Sequence, residues 1–274
     1  MLVQAYELVN KTKHPYHLYG EGGYSVVAGL YEGRVIRQFW KERAKTRMAS
    51  NRAVSKRAYK KTELLRKDLL DAAEQLFAEK GFDKTSIRDI TDHLGVRLAA
   101  VNYHFESKHN LLVEMIHRRA GALNEARQTR LNQVKIDRDK PYENVYALVQ
   151  AMFKPLVEYY LSGDDGWHYY CRYLARMIGA DPLEFRTIIN HEYNDIAKTF
   201  INKLKEALPE HSDYQLHCAY QFLIGTFMFV MSDNKRLDGI SDGRYQSADV
   251  DLILNPHFFK FATAGIVGIA ESKV

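Results

Sequence analysis

From residue 62 onward the apolar residues of this chain recur at three- and four-residue steps, a spacing that favours helices over strands. Leu65, Leu69, Ala72, Ala73, Leu76 and Phe77 make the first such stripe, and Gly81 is placed to end that helix in the left-handed conformation. Ser86, with Asp89 three residues on, matches a capping box and opens a short helix over about Ile87–Leu94. Gly95 closes it, and a second short helix follows over about Leu98–Tyr103. Ser107 then caps a long helix running from Lys108 to beyond Arg130. Two short helices hinged at a glycine between longer ones make a helix-turn-helix. Beyond Pro141 the same spacing predicts helices at about 142–161, 166–179, 182–207, 213–232 and 256–272. Breaks are expected at 162–166, 180–182, Pro209 and 238–255. The fold class expected is all-α.

The distribution of charge says more than its total. The net charge is +5 over 274 residues. Between Lys41 and Lys67 eleven Lys and Arg face only Glu42 and Glu63, so that segment carries +9 and the rest of the chain is net acidic. A cationic run beside the first periodic helix is how a footprint for phosphates is laid out, although a solvated basic tail has the same composition. Residues 1–40 are rich in aromatic and turn residues, admit a short hairpin around Gly29 or Gly33, and carry no recognisable chemistry. They read either as a flexible appendage or as an upstream extension of a frame whose native start is Met48.

Other classes of protein find little support. No apolar run approaches the roughly 18 residues that span a bilayer, and the first residues lack a signal-peptide pattern. Cys171 and Cys218 are too few for a disulfide framework and too far apart for a metal site. A cytoplasmic protein with no metal or cofactor is expected. His191-Glu192 is not a zinc-protease motif, because position 195 is Asp. Cys171 and His168 share a helical face, but nothing nearby supplies an orienting third group or an oxyanion site, so no catalytic residue is assigned.

One stretch carries a specific likeness. Phe77-Ala78-Glu79-Lys80-Gly81-Phe82, Thr85-Ser86-Ile87-Arg88-Asp89-Ile90, Leu94-Gly95-Val96 and Asn102-Tyr103-His104-Phe105-Glu106-Ser107-Lys108 stand in this order without a gap. Over about 50 residues this resembles the DNA-binding domain of the tetracycline-repressor (TetR) family. The resemblance implies an N-terminal three-helix helix-turn-helix DNA-binding domain over 62–110. It is preceded by an extension with a basic arm over 1–61 and followed by a helical effector-binding and dimerisation domain over 111–274.

The reading head follows from groove geometry as well as from likeness. A helix that enters a major groove about 12 Å wide must be short and present small or polar residues. Leu98, Ala99, Ala100 and Asn102 meet that demand, while Val101 and Phe105 fall on the core side. Tyr103, His104 and Lys108 are expected on phosphates, with Thr85 and Ser86 across the groove; residues at these places contact phosphates in the resembling family. Arg97, in the turn facing the groove, is expected to read a base or a phosphate. It departs from the family, which usually has a small polar residue there, and Asn110 replaces an acidic residue that often completes the cap after Ser107.

The C-terminal half suggests two surfaces. Segments 213–232 and 256–272 are apolar nearly all round and carry small residues, which suits a homodimer reading two halves of a palindromic double-stranded operator. The resembling family dimerises through its last two long helices. The aromatic stretch from Trp167 to Tyr173 either packs a core or lines a cavity. A hydrophobic small-molecule effector of acyl type, touching Phe153, Trp167, Tyr170, Leu174 and Phe222, is the expectation; the likeness of 142–232 to fatty-acid-responsive regulators is looser than that of the reading head. The competing reading is a ligand-blind architectural or cell-division protein of the same fold.

Overall fold

The computed structural model describes residues 61–178 and 183–269. The chain divides into two compact units, Met1–Thr62 and Glu63–Val274. The basic arm before residue 61, the region of Gly29 and Gly33, and Met48 lie outside the described residues, as does the break expected at 180–182. Within the second unit the described residues form helices and no strand.

Helix α1 covers 61–80 and turns Leu69, Leu70, Ala73, Leu76 and Phe77 inward. The Gly81 amide donates to the Phe77 carbonyl at 3.0 Å, and φ of +90° there ends the helix at little cost to a residue without a Cβ. The short α2 (Ile87–Leu94) and α3 (Ala99–Phe105) follow, then the 26-residue α4 (Lys108–Gln133). Four longer helices come next: α5 (Pro141–Tyr160), α6 (Asp165–Ile178), α7 (Leu183–Ala207) and α8 (Asp213–Met231).

The stretch expected as a loop from 238 to 255 is more ordered than its polarity suggests. It contains the short helices α9 (Arg236–Ile240) and α10 (Val250–Ile253), pinned by the Ser247 amide donating to Asp238 at 2.7 Å. Helices of four and five residues are too short for their periodicity to register in sequence. The last helix begins later than expected, as α11 (Phe259–Gly268), after a kinked turn at Leu254–Phe258. Asn255 is extended there (φ −110°, ψ 110°), as the residue before a proline tends to be.

A single polar cluster ties the first helix to the later ones. Glu74 sits on the buried face of α1 and is fully enclosed. Its two oxygens accept from Arg119 Nε at 2.9 Å and Nη2 at 2.7 Å, and Arg118 adds a third bond at 3.1 Å. Arg118 also reaches Asp71 at 2.6 Å, and Arg119 reaches Asp164, just before α6, at 2.6 Å. Burial pushes the Glu74 carboxyl up, and the two guanidinium groups oppose it. Burial also works against the Arg119 charge, yet its bonds to Glu74 and Asp164 hold it above the ordinary arginine range.

The start of α6 is threaded against this cluster through a glycine. A Cβ on Gly166 would stand 1.8 Å from Arg119 Nη2 and 2.6 Å from Glu74 Oε2. Further along, the Tyr173 ring lies 6.1 Å from Phe77, and Arg176 donates to the Glu79 carbonyl at 3.4 Å. Helices α1, α4 and α6 are therefore registered to one another. Gly166→Ala should make Arg119 give way at Glu74, where Arg118 remains bonded, and lower stability by about 1–3 kcal/mol, the cost of a buried hydrogen-bonding group left unmatched. Chemical denaturation measures this, and a variant as stable as the parent would contradict the geometry.

Candidate nucleic-acid interface

The turn between α1 and α2 is set by backbone chemistry. The Ser86 hydroxyl accepts from the Asp89 amide at 3.1 Å, and Asp89 accepts from the Ser86 amide at 2.7 Å. This closes the capping box and holds the Asp89 carboxyl below its usual range. Gly95, at φ +65°, ends α2 with its amide on the Asp92 carbonyl at 3.2 Å. Together these fix the angle at which α3 leaves α2.

Helix α3 buries Val101 and Phe105 and turns its other side to solvent. Arg97, Leu98, Ala99 and Asn102 are exposed, Ala100 is half-buried, and Tyr103 projects with 77% of its surface free. His104 is half-buried edge-on to Tyr103, with ring centroids 5.0 Å apart. Partial burial and the nearby Arg66 keep its pKa below the ordinary histidine value, so it is mostly neutral at neutral pH. The outward face thus carries small residues, an amide, a phenol and a guanidinium, the mixture that base edges and phosphates accept.

Two of the expected phosphate ligands occupy other positions. Thr85 is fully buried, and its hydroxyl donates to the Gly81 carbonyl at 2.8 Å and lies 3.3 Å from that of Leu76. Lys108 Nζ donates to the carbonyls of Phe82 at 2.9 Å and Thr85 at 3.0 Å, and sits 4.1 Å from the Phe82 ring centre. Both side chains are spent on orienting the turn ahead of α2, which corrects their reading as phosphate contacts. Ser86, by contrast, is exposed. The Ser107 cap on α4 survives the loss of the acidic residue, since its hydroxyl accepts from the Asn110 amide at 3.0 Å.

Sequence reasoning passed over two cations. Lys84 and Arg88 are exposed beside the N-terminus of α2 and enter no ion pair among the described residues. Their closeness to the Ser86 cap was the available signal, because helix N-termini collect phosphate contacts.

The five expected effector contacts do not converge. Phe153 is enclosed by Phe227, Phe258 and Phe200 at centroid separations of 4.9, 5.4 and 6.3 Å. Trp167 stacks on Tyr159 at 4.4 Å and meets Tyr170 edge-on at 5.7 Å, and Leu174 is buried nearby on the same helix. Phe222 stands apart, 63% exposed, in a groove of about 590 Å³ between α8 and α11 that also holds Phe261 and Gly265. None of the other four lines that groove. Its place on α8, one step off the buried Leu216, Ala219, Leu223 and Phe227 stripe, sends it outward. Phe222 is therefore withdrawn from the pocket set.

The pair considered as a nucleophile differs in burial and partners. Cys171 is buried and its thiol is pushed up by that burial, while the exposed His168 spends Nε2 on the Tyr160 carbonyl at 2.7 Å. Among the described residues no helix is long and apolar enough to cross a membrane.

Known proteins match this architecture in two blocks. The description "Bacterial regulatory proteins, tetR family" fits residues 69–115, and "Tetracyclin repressor-like, C-terminal domain" fits residues 150–265. Over 51 residues the chain is 41% identical to the HTH-type transcriptional repressor KstR2 of Rhodococcus jostii, covering 19% of this chain and 25% of that protein. Over 86 residues it is 29% identical to IcaR of Staphylococcus aureus, a negative transcriptional regulator of the biofilm operon icaADBC, covering 31% and 42%. The match thus spans well under half the length of these curated relatives. Among solved structures, a TetR-family regulator from Bordetella parapertussis superposes with a TM-score of 0.51 at 16% identity, over 76% of this chain and 95% of that one. KstR2 of Mycobacterium tuberculosis, a ketosteroid transcriptional regulator, gives 0.50 at 19%, with the same coverage. At such identities the structural likeness concerns the fold.

Arg97 and Lys108 should separate cleanly on substitution. Arg97→Ala is expected to weaken DNA binding by about 1–3 kcal/mol while stability moves by less than about 0.5 kcal/mol. Lys108→Met should lower the melting temperature and weaken binding together. Fluorescence anisotropy beside thermal unfolding measures both, and the reverse pattern would overturn the two roles.

Proposed function

The chain belongs to the TetR family of transcription regulators, and on that footing we propose that it is a repressor released from a palindromic operator by a hydrophobic small molecule. The observation that carries this reading is the outward face of α3, where Ala99, Asn102 and Tyr103 stand exposed on a helix whose other side is core, with Arg97 exposed in the turn just before it. Residues 62–110 serve as the reading head, 111–274 as the effector-binding and dimerisation domain, and 1–61 as an extension whose basic arm, before residue 62, serves phosphates, all within the cytoplasm.

A single head covers one half-site, so two copies are required. The groove between α8 and α11 suits a self-complementary contact. Phe222 and the 69%-exposed Phe261 are its apolar knobs, and a Cβ added at Gly225 or Gly265 would meet nothing within 4 Å, which leaves room for a partner backbone. An effector of this assembly must bind the DNA-incompetent arrangement more tightly, since equal binding shifts nothing. Helix α6 is the physical link: it carries Trp167, Tyr170 and Leu174 into the core and is registered to α1 through Gly166 and Arg119.

The architectural alternative draws on the close aromatic packing around Phe153 and Trp167, whose rings lie 4.9 Å from Phe227 and 4.4 Å from Tyr159. Selection of bound DNA from a random library tests the regulator reading. A two-fold symmetric site with half-site centres about one helical turn apart is expected. Binding with no enriched symmetric sequence would favour the architectural protein instead.

A further inference from the structure

The effector domain holds a cation that nothing within it neutralises. Arg127, on α4, is 4% exposed. Its Nε donates to the Met152 carbonyl on α5 at 2.9 Å, and Nη1 reaches Asn124 Oδ1 at 3.3 Å. Asn124 is itself turned away, donating to the Glu192 carbonyl at 2.7 Å. The remainder of the guanidinium fork forms no hydrogen bond among the described residues, and no carboxylate there lies within ion-pair distance of it. The titratable groups that face it come from three other helices: Tyr170 and Cys171 on α6, Tyr193 on α7 and Tyr220 on α8. Burial pushes all four upward, so all are neutral at physiological pH.

A structural role accounts for only part of this. Pro155 removes the donor for the carbonyl of Ala151 in α5, and Arg127 Nε covers the adjoining Met152 carbonyl. A neutral side chain with one N–H would do the same without the cost of setting a charge in the core with no counter-ion. Elsewhere in this fold the half-buried guanidinium groups of Arg118 and Arg119 meet a buried carboxylate, Glu74. Arg127 lacks that counterpart; its guanidinium lies over the Tyr193 ring, 5.9 Å from the centroid, and the Tyr193 hydroxyl is bonded to that of Tyr170.

We propose that the core between α4, α6 and α7 receives the carboxylate of an apolar acid, held by the Arg127 guanidinium, with Tyr170 and Tyr193 as further donors. This rests on the reading of the chain as an effector-responsive regulator and narrows the effector to an anionic class. The acid would part the Tyr170–Tyr193 pair, place its carboxylate in the fork and lay its tail among the aromatic side chains. Displacement of Tyr170 and Cys171 moves α6, the helix registered to the reading head through Gly166.

The test uses the full-length protein with dodecanoate and the steroid acid cholate, each beside its methyl ester, and with dodecanoyl-CoA, read by calorimetry and by release of a selected operator. At least one free acid should bind about ten- to a hundredfold more tightly than its ester, the ratio expected of a charge-assisted hydrogen bond. In Arg127→Met that preference should vanish while the melting temperature holds or rises, because an apolar replacement relieves an unpaired charge. Equal binding of acid and ester, or binding of the CoA thioester alone, would overturn the carboxylate site yet leave an effector-responsive regulator standing. Silence from every compound while operator binding persists would remove the site and favour the ligand-blind reading. A fall in melting temperature with acid preference intact would make Arg127 a structural brace.

Discussion

One buried carboxylate sets how the first helix meets the later ones. Glu74 has no access to water and binds two guanidinium groups from α4, one of which continues to Asp164 at the mouth of α6. Attraction in such a pair is largely offset by desolvation, so its net contribution to stability is small beside an apolar substitute. What it adds is directional: a bidentate fork accepts one angle and one distance. Helix α3 packs on α1 and α4 through Val101 and Phe105, and the aromatic helix α6 docks on the same pair through a glycine. Any movement of α6 must then either drag α1 or break the pair, which is the property a small-molecule switch needs.

The sequence carried the helices, the caps and the order of the reading head, because each rests on local chemistry. Ser86 with Asp89, Gly81, Gly95 and Ser107 are placed where their backbone geometry requires them. The outward and inward sides of α3 were legible for the same reason, Val101 and Phe105 being one helical turn apart and apolar. Individual roles were harder. Thr85 and Lys108 look like phosphate ligands in one dimension, and only the folded turn reveals that the carbonyls of Leu76, Gly81, Phe82 and Thr85 claim them first. A long cation is drawn to free carbonyls as readily as to phosphates, and spacing cannot rank the two.

Long-range features were not legible at all. Glu74 falls within an apolar stripe, where sequence offers no hint that two arginines some 45 positions later will neutralise it. Gly166 reads as a loop residue, yet its lack of a side chain admits Arg119. Phe222 resembles a pocket residue by size and shares a helix with the core, but its position on α8 sends it to the outer groove. Arg127 looks like an ordinary helix-surface cation until the packing of α5, α6 and α7 encloses it. These are the places where tertiary contacts override local pattern.

The central claim is that α3 enters the major groove of both half-sites at once. Methylation interference at guanine N7 tests it most directly, because that atom lines the major groove alone. On the DNA that the protein selects, interference should fall in two clusters, in successive major grooves on one face of the duplex and related by two-fold symmetry. Guanine N7 interference that is absent while binding persists, or that falls without two-fold symmetry, would contradict this placement of α3.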